Sequence, residues 1–219
     1  MQPPSLDQVS KAMAAHQRLY AWRRPVYQWA MLSGLVRAWK TVPKSILDVG
    51  GGTGLMAQVI QDLFPGTEVT VIDVKDRVLP TLTVSSRVYD GERIPCESGS
   101  FDCAILLNVL HHVPARGRLP LLKECLRVTA GGPLYIKDHL STGMADDLRL
   151  WVLDMLGNAP FGGMVRASYL RGDEWASLAA EAGCRAELHS TQPFRSGPSA
   201  ALFPNRLEIM TTWRAGASA

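Results

Sequence analysis

Apolar and polar positions change their spacing at three points along this chain, and the changes divide it. Residues 1–44 read as helical and separate in character. Asp7 is placed to cap a helix running from Gln8. In VYQWAMLSGLVRAWK, the positions Val26, Trp29, Ala30, Leu32, Val36 and Trp39 fall close to a helical period, a stripe suited to packing on a larger body. Arg23, Arg24, Arg37 and Lys40 flank that stripe, so a lid over a site or a membrane-surface helix are its other readings. From residue 45 short apolar runs alternate with helical stripes. SILDVG, EVTVIDV, SSRVYDG, FDCAILLNVL and GPLYIKDHL read as strands, the fourth apolar enough to be covered on both faces. TGLMAQVIQDLF and RLPLLKECLRV read as helices between them. Strands alternating with helices predict a parallel sheet with right-handed crossovers.

The last third breaks that rhythm. ADDLRLWVLDMLGNAP is a helix stopped near Gly157 and Pro160, and GDEWASLAAEAGC is a second, with Asp173 near its start and Gly183 at its end. CRAELHSTQPF and NRLEIMTTWR then alternate. A Pro/Gly/Ser loop with no helix separates them, which predicts a terminal antiparallel hairpin. The expected organisation is an N-terminal helical extension, 1–44, and one α/β domain, 45–219.

Composition narrows the function without choosing it. The chain has 219 residues, 47% of them apolar and 20% charged, with a net charge of +3. That suits an ordinary globular protein and offers no strong basic field for nucleic acid. Cys96, Cys103, Cys125 and Cys184 lack any metal-ligand spacing, so buried thiols in a reducing compartment are expected, with no metal. No apolar run approaches the roughly 20 residues of a membrane span. The N-terminus lacks a signal-peptide core, and a cytoplasmic location follows.

The chemistry starts at SILDVGGGTG. A strand, a glycine loop and a helix place the loop where open α/β sheets bind ligands. Asp73 ends the next strand, nineteen residues after Gly54, where a carboxylate accepts hydrogen bonds from both ribose hydroxyls of a nucleoside. Its other reading is a cap on the following turn. A dinucleotide loop needs G-x-G-x-x-G/A, and that register puts Leu55 in the third place. Asp48 beside the loop would repel a pyrophosphate and suit a cation. No G-K-[ST] follows, which excludes a triphosphate loop. The register thus argues against a nicotinamide oxidoreductase.

With these motifs in order, the chain resembles the class I S-adenosylmethionine-dependent methyltransferases, strongly over residues 45–140 and more loosely elsewhere. LDVGGGTG is similar to the family's first motif, with Gly50, Gly51, Gly52 and Gly54 holding the methionine part of the cofactor. Asp73 and Val74 match the ribose-binding segment. YDGERIPCESGSFDCAILLNVLHHV is similar to the next two motifs. It implies adenine contacts at Asp90 and Gly91, with Asn108 beside the sulfonium. The resemblance also implies a seven-stranded Rossmann-like sandwich of order 3-2-1-4-5-7-6. S-adenosylmethionine would be the cofactor and S-adenosylhomocysteine the product.

The acceptor side is read from LHH and IKDHL. One of His111 and His112 faces the pocket, and His111 packs over the cofactor in one reading. Lys137, Asp138 and His139 end a buried strand, where charges are costly unless paired, solvated or functional. Asp138 beside His139 makes a candidate general base, and a cap on the next loop is the other reading. A similar KDH followed by LD-x-x-GNA and a later tyrosine occurs in some small bacterial methyltransferase-like proteins. That resemblance puts Asp154, Asn158 and Tyr169 at the acceptor. Phe161, Gly162, Gly163 and Met164 fit a hinged covering loop or an ordinary one. Trp22, Tyr27 and Trp29 could close the opposite side. The expected acceptor is a small, partly apolar molecule such as a secondary metabolite or lipid-like compound, with a homodimer left open. A non-catalytic binder of the same cofactor, or an enzyme of this fold doing other chemistry, are the remaining readings.

Overall fold

The computed structural model describes residues 1–158, 164 and 166–216. Its centre is a seven-stranded sheet of order β3-β2-β1-β4-β5-β7-β6. The strands are β1 (Ser45–Val49), β2 (Glu68–Asp73), β3 (Ser85–Val88), β4 (Cys103–Leu107), β5 (Leu134–His139), β6 (Cys184–Leu188) and β7 (Glu208–Ala215). The first five are parallel. β7 runs antiparallel beside β5, and β6 antiparallel beside β7. Strand order, helix alternation and the antiparallel terminal pair are as the sequence implied.

Two cores cover the two faces. On one, Ile46, Val69, Val71 and Ile105 pack against α3 (Leu55–Leu63) and against Val9, Met13, Leu32 and Leu35 of α1 (Leu6–His16) and α2 (Val26–Ala38). Each such buried side chain contributes about 1.5–3 kcal/mol. The N-terminal helices therefore belong to the same packed layer as α3. On the other face, Leu47, Leu106, Ile136 and Trp213 pack against α4 (Ala115–Val128) and α6 (Gly172–Glu181). Helix α5 (Met144–Asn158) follows β5, and no helix among the described residues is long and apolar enough to cross a membrane.

Three local expectations are corrected. The first helix is capped by Ser5, not Asp7: Gln8 N–H donates to Ser5 Oγ at 3.2 Å, and Gln8 Oε1 accepts from Ser5 N–H at 2.8 Å. That is a capping box. The connection between the last two strands is not free of helix, because Gly197–Leu202 forms α7, started by Pro198 in its first turn. Finally, β7 does not alternate in burial. It lies between β5 and β6, and Ile209 through Trp213 are all buried. A strand flanked on both sides and covered on both faces has no solvent side.

Candidate functional site

The glycine loop leaves β1 and turns into α3 at the carboxyl end of the sheet. Gly50, Gly52 and Gly54 have φ of 68°, 58° and 73°, the left-handed region that disfavours side chains. Gly51 is glycine for a different reason. A Cβ there would lie 2.5 Å from Asp48 Oδ2 and 2.8 Å from Val71 Cγ1. At Gly52 the nearest atom to an added Cβ is Arg77 Nη2, at 3.8 Å, so this part of the loop faces open space. That space is a cavity of about 420 Å³ lined by Gly50, Gly51, Gly52, Asp73, Val74, Gly91, Asn108 and His112. A smaller one of about 200 Å³ shares Gly50, Gly51 and Asn108 with it and reaches Asp48.

Asp73 is buried at the cavity wall. Its Oδ2 accepts from Gly52 N–H at 3.0 Å and from Arg77 Nη2 at 2.8 Å, and its Oδ1 accepts from Lys75 N–H at 3.0 Å. Each carboxylate oxygen has two lone pairs. Oδ1 thus keeps room for one ribose hydroxyl, while a second hydroxyl at Oδ2 requires Arg77 to give way.

Asp48 tests whether S-adenosylmethionine fits. Its side chain is 1% exposed, and Oδ1 has no hydrogen-bond partner among the described residues. Burial, then the neighbouring Asp73 charge, push its carboxyl up to about 7. An unpaired buried carboxylate beside a glycine cradle is complementary to an ammonium group and hostile to a phosphate. The residues fit the methionine end of the cofactor. Affinity for S-adenosylmethionine should then fall about eightfold from about pH 7.5 to about pH 6, as Asp48 takes up a proton that the ammonium must displace. The window stops below the usual titration of α-amino groups, about 7.7–8.0. Calorimetric titration at both pH values checks it, and Asp48→Asn should flatten the difference.

At the acceptor end the expected Asp138–His139 pair does not form. Asp138 Oδ1 lies 2.5 Å from His111 Nδ1, and Asp138 Oδ2 accepts from Leu110 N–H at 2.8 Å and Val109 N–H at 3.2 Å. Asp138 meets His139 only through its backbone N–H. Burial pushes the Asp138 carboxyl up, but the His111 imidazole holds it down at about 2. Burial pushes His111 down, yet Asp138 and Asp154 carry it to about 9. The His139 ring is 2% exposed, 3.1 Å from Glu208 Oε2 and 3.5 Å from Asp154 Oδ1, and it does not line the cavity.

His112 is the histidine that lines the cavity, and His111 stands behind it with ring centroids 4.0 Å apart. His112 Nδ1 is 2.9 Å from the Arg166 carbonyl. A carbonyl only accepts, so Nδ1 carries the proton and the lone pair lies on Nε2. Burial, then His111, lower its pKa. Asp154 is buried, accepts from Tyr169 Oη at 2.6 Å, and lies 3.4 Å from His111 Nε2.

The remaining expectations separate. Asp90 is exposed and outside the cavity lining, because its Oδ1 accepts from Glu92 N–H and Arg93 N–H; Gly91 lines the cavity in its place. Gly54 packs toward Val78 and Leu82, not into the cavity. The Asn158 side chain and residues Phe161, Gly162 and Gly163 lie outside the described residues. The sequence reading missed Tyr89 and Arg77 on the wall and Glu208 beneath it. It left Lys137 without a partner. Lys137 Nζ, fully buried, sits 2.6 Å from Glu208 Oε2 and 2.5 Å from Asn108 Oδ1, and donates to Tyr27 Oη. Asn108 is thereby held at φ 60° at the end of β4.

Comparison with known proteins gives the following. A family model described as a methyltransferase domain matches residues 15–189. The malonyl-[acyl-carrier protein] O-methyltransferase of Geobacter sulfurreducens is 28% identical over 65% of this chain and 56% of its own length. The flavonoid 4'-O-methyltransferase of Glycine max is 25% identical over 64% of this chain and 40% of its own. The chain thus spans about half of the length of the curated relatives it matches. A crystal structure from Thermotoga maritima, described as an S-adenosylmethionine-dependent methyltransferase, superposes with a TM-score of 0.60 at 15% identity, covering 97% of this chain and 100% of that one. That likeness is one of fold.

Proposed function

Because the chain belongs to the class I S-adenosylmethionine-dependent methyltransferases, we propose that it transfers the cofactor's methyl group to a hydroxyl oxygen of a small, partly apolar molecule. The carrying observation is the orphaned Asp48 carboxylate beside the glycine cradle, with Asp73 on the same wall. Asp48 would hold the ammonium group and Asp73 the ribose. Val74 and Gly91 would flank the adenine, and Asn108 would stand by the sulfonium. The cofactor supplies the activated methyl. The protein's part is to align it with the acceptor and keep water out.

When bound, the cofactor would supply the methyl carbon to the hydroxyl oxygen, keep the carbon–sulfur bonding pair and leave as S-adenosylhomocysteine, and the hydroxyl's proton would pass to His112 Nε2 or to water. Handling of that hydroxyl falls to His112 on the cavity wall, with His111 and Asp154 buried behind it. His112 lines the cavity, and Tyr169 and His139 steady Asp154. The oxygen acceptor is supported by the O-methyltransferases among the relatives and by a site able to deal with an acidic proton.

Calorimetric titration tests the cofactor half. S-adenosylmethionine should bind one to one and nicotinamide dinucleotides should not. Asp73→Ala should remove the charge-assisted hydrogen bond at Oδ1 and the one that forms at Oδ2 when Arg77 gives way, about 2–3 kcal/mol, and weaken binding about 30–150-fold. Equal affinity in that variant removes Asp73 from the ribose. A panel of phenols and carboxylic acids, scored by S-adenosylhomocysteine release, tests the acceptor half.

A further inference from the structure

His111, His112 and Asp154 do more than surround a proton. Each offers one ligating atom, and these atoms lie within 4.8 Å of one another. Two nitrogens and one carboxylate oxygen form a borderline ligand set, preferred by zinc and its transition-metal neighbours over magnesium or calcium.

The surroundings of the three match the way proteins prepare metal ligands. In such sites each histidine commits its second nitrogen to a carboxylate or a backbone carbonyl, which fixes the ring and directs the other nitrogen at the metal. Both histidines do so here. His111 Nδ1 is on Asp138 Oδ1 at 2.5 Å, and His112 Nδ1 is on the Arg166 carbonyl at 2.9 Å. Asp154 has its own support from Tyr169 Oη at 2.6 Å. His111 Nε2 is buried and makes no hydrogen bond among the described residues. It stands 3.4 Å from Asp154 Oδ2. Two ligands at the usual zinc distance of about 2.1 Å in a tetrahedron are separated by about 3.4 Å. This edge of the polyhedron is already formed.

The cluster also lies where an ion would act. His112 lines the cavity that holds the glycine cradle, which sets the cluster against the cofactor's compartment. Catalytic zinc sites have this form, three protein ligands and one place left for water or substrate.

We propose that His111 Nε2, His112 Nε2 and Asp154 Oδ2 bind one divalent transition-metal ion at the acceptor end of the cavity, where it lowers the pKa of the acceptor's hydroxyl. The second clause rests on the methyl-transfer reading above; the first does not. A metal of this class would let a hydroxyl lose its proton near neutral pH and leave it as the nucleophile facing the methyl group.

The test uses the full chain, freed of metal by chelation and titrated with zinc chloride and, separately, magnesium chloride. Zinc should bind one to one, at least about 100-fold more tightly than magnesium. His112→Ala and Asp154→Asn should each weaken zinc at least about 100-fold, while affinity for S-adenosylmethionine stays at the parent value and shows that the variants fold. In the cobalt-loaded protein the visible absorption of a four-coordinate ion should appear and be lost in both variants. Absence of stoichiometric zinc, equal binding of magnesium, or zinc binding retained in both variants overturns the site. Methyl transfer indifferent to zinc removal overturns its acceptor role. Failure of S-adenosylmethionine to bind would instead overturn the methyl-transfer reading and leave the zinc result standing.

Discussion

Glu208→Gln should lower the free energy of unfolding by about 3–5 kcal/mol, a large fraction of the roughly 5–15 kcal/mol that holds a folded domain. Glu208 opens β7 and is nearly enclosed. Its Oε2 lies 2.6 Å from Lys137 Nζ and 3.1 Å from His139 Nδ1, and its Oε1 accepts from Arg195. The Lys137 side chain is 0% exposed and that of Arg195 8%. Burial alone would push the Glu208 carboxyl up, but Lys137 and its other cationic neighbours hold it below the carboxylate range. The glutamine keeps the shape and removes the charge, leaving two buried cations that share one neutral amide oxygen, with Tyr27 and Asn108 as the further acceptors for Lys137. Breaking one side of a buried pair is far more costly than replacing both. The double variant Lys137→Met, Glu208→Gln should therefore recover at least about half of the loss. Urea unfolding checks both. A loss below about 1 kcal/mol in the single variant would show that water reaches Lys137 and Arg195 and makes good the missing charge. The same network ties α2, through Tyr27, to the floor of the cavity, so the single variant should also loosen the acceptor side.

Glu208 also marks where the sequence stopped being legible. The cofactor half could be read because its parts are local. A loop between β1 and α3 and a carboxylate at the end of β2 have positions fixed by chain connectivity, and their spacing carries the meaning. The acceptor half is assembled across the sheet. Adjacent residues of a strand point to opposite faces, so Asp138 and His139 could not form the expected pair. Asp138 instead meets His111, which the turn after the neighbouring parallel strand β4 brings to the same face. His139 shares its face with Lys137 and meets Glu208. Nothing in IKDHL names those partners.

Other misreadings have the same origin or a simpler one. NRLEIMTTWR alternates in sequence, but a strand inserted between two others is covered whatever its pattern, and Thr211 and Thr212 are buried with the apolar residues. Asp90 stands where the family's pattern puts an adenine contact. In the structure its carboxylate caps the next turn, a role any Asp before a glycine can take. Ser5 with Gln8 was a readable signal passed over in favour of Asp7, since Ser-x-x-Gln is the box that satisfies two helix N–H groups at once.

His112→Ala should lower the rate of methyl transfer by about 100-fold to 10,000-fold with S-adenosylmethionine affinity unchanged. The imidazole Nε2 is the lone pair that the tautomer fixed by the Arg166 carbonyl directs away from the backbone. A proton acceptor there acts directly on the hydroxyl, and a ligand there holds the ion that does. Either way the group serves the transition state and not the binding of the cofactor, so the loss belongs in kcat. His139 supplies the contrast. Its ring is enclosed between Asp154 and Glu208 and lines neither of the two cavities described. His139→Gln should therefore cost less than about tenfold in rate and show most of its effect as lost stability, because the ring is buried between two carboxylates and does not line the cavity. Single-turnover transfer of a labelled methyl group, with a phenol from the acceptor panel, measures both. The reverse ranking, with His139 critical and His112 dispensable, would return the acceptor chemistry to the end of β5 and require Asp154 to move out of the way before any substrate could reach it.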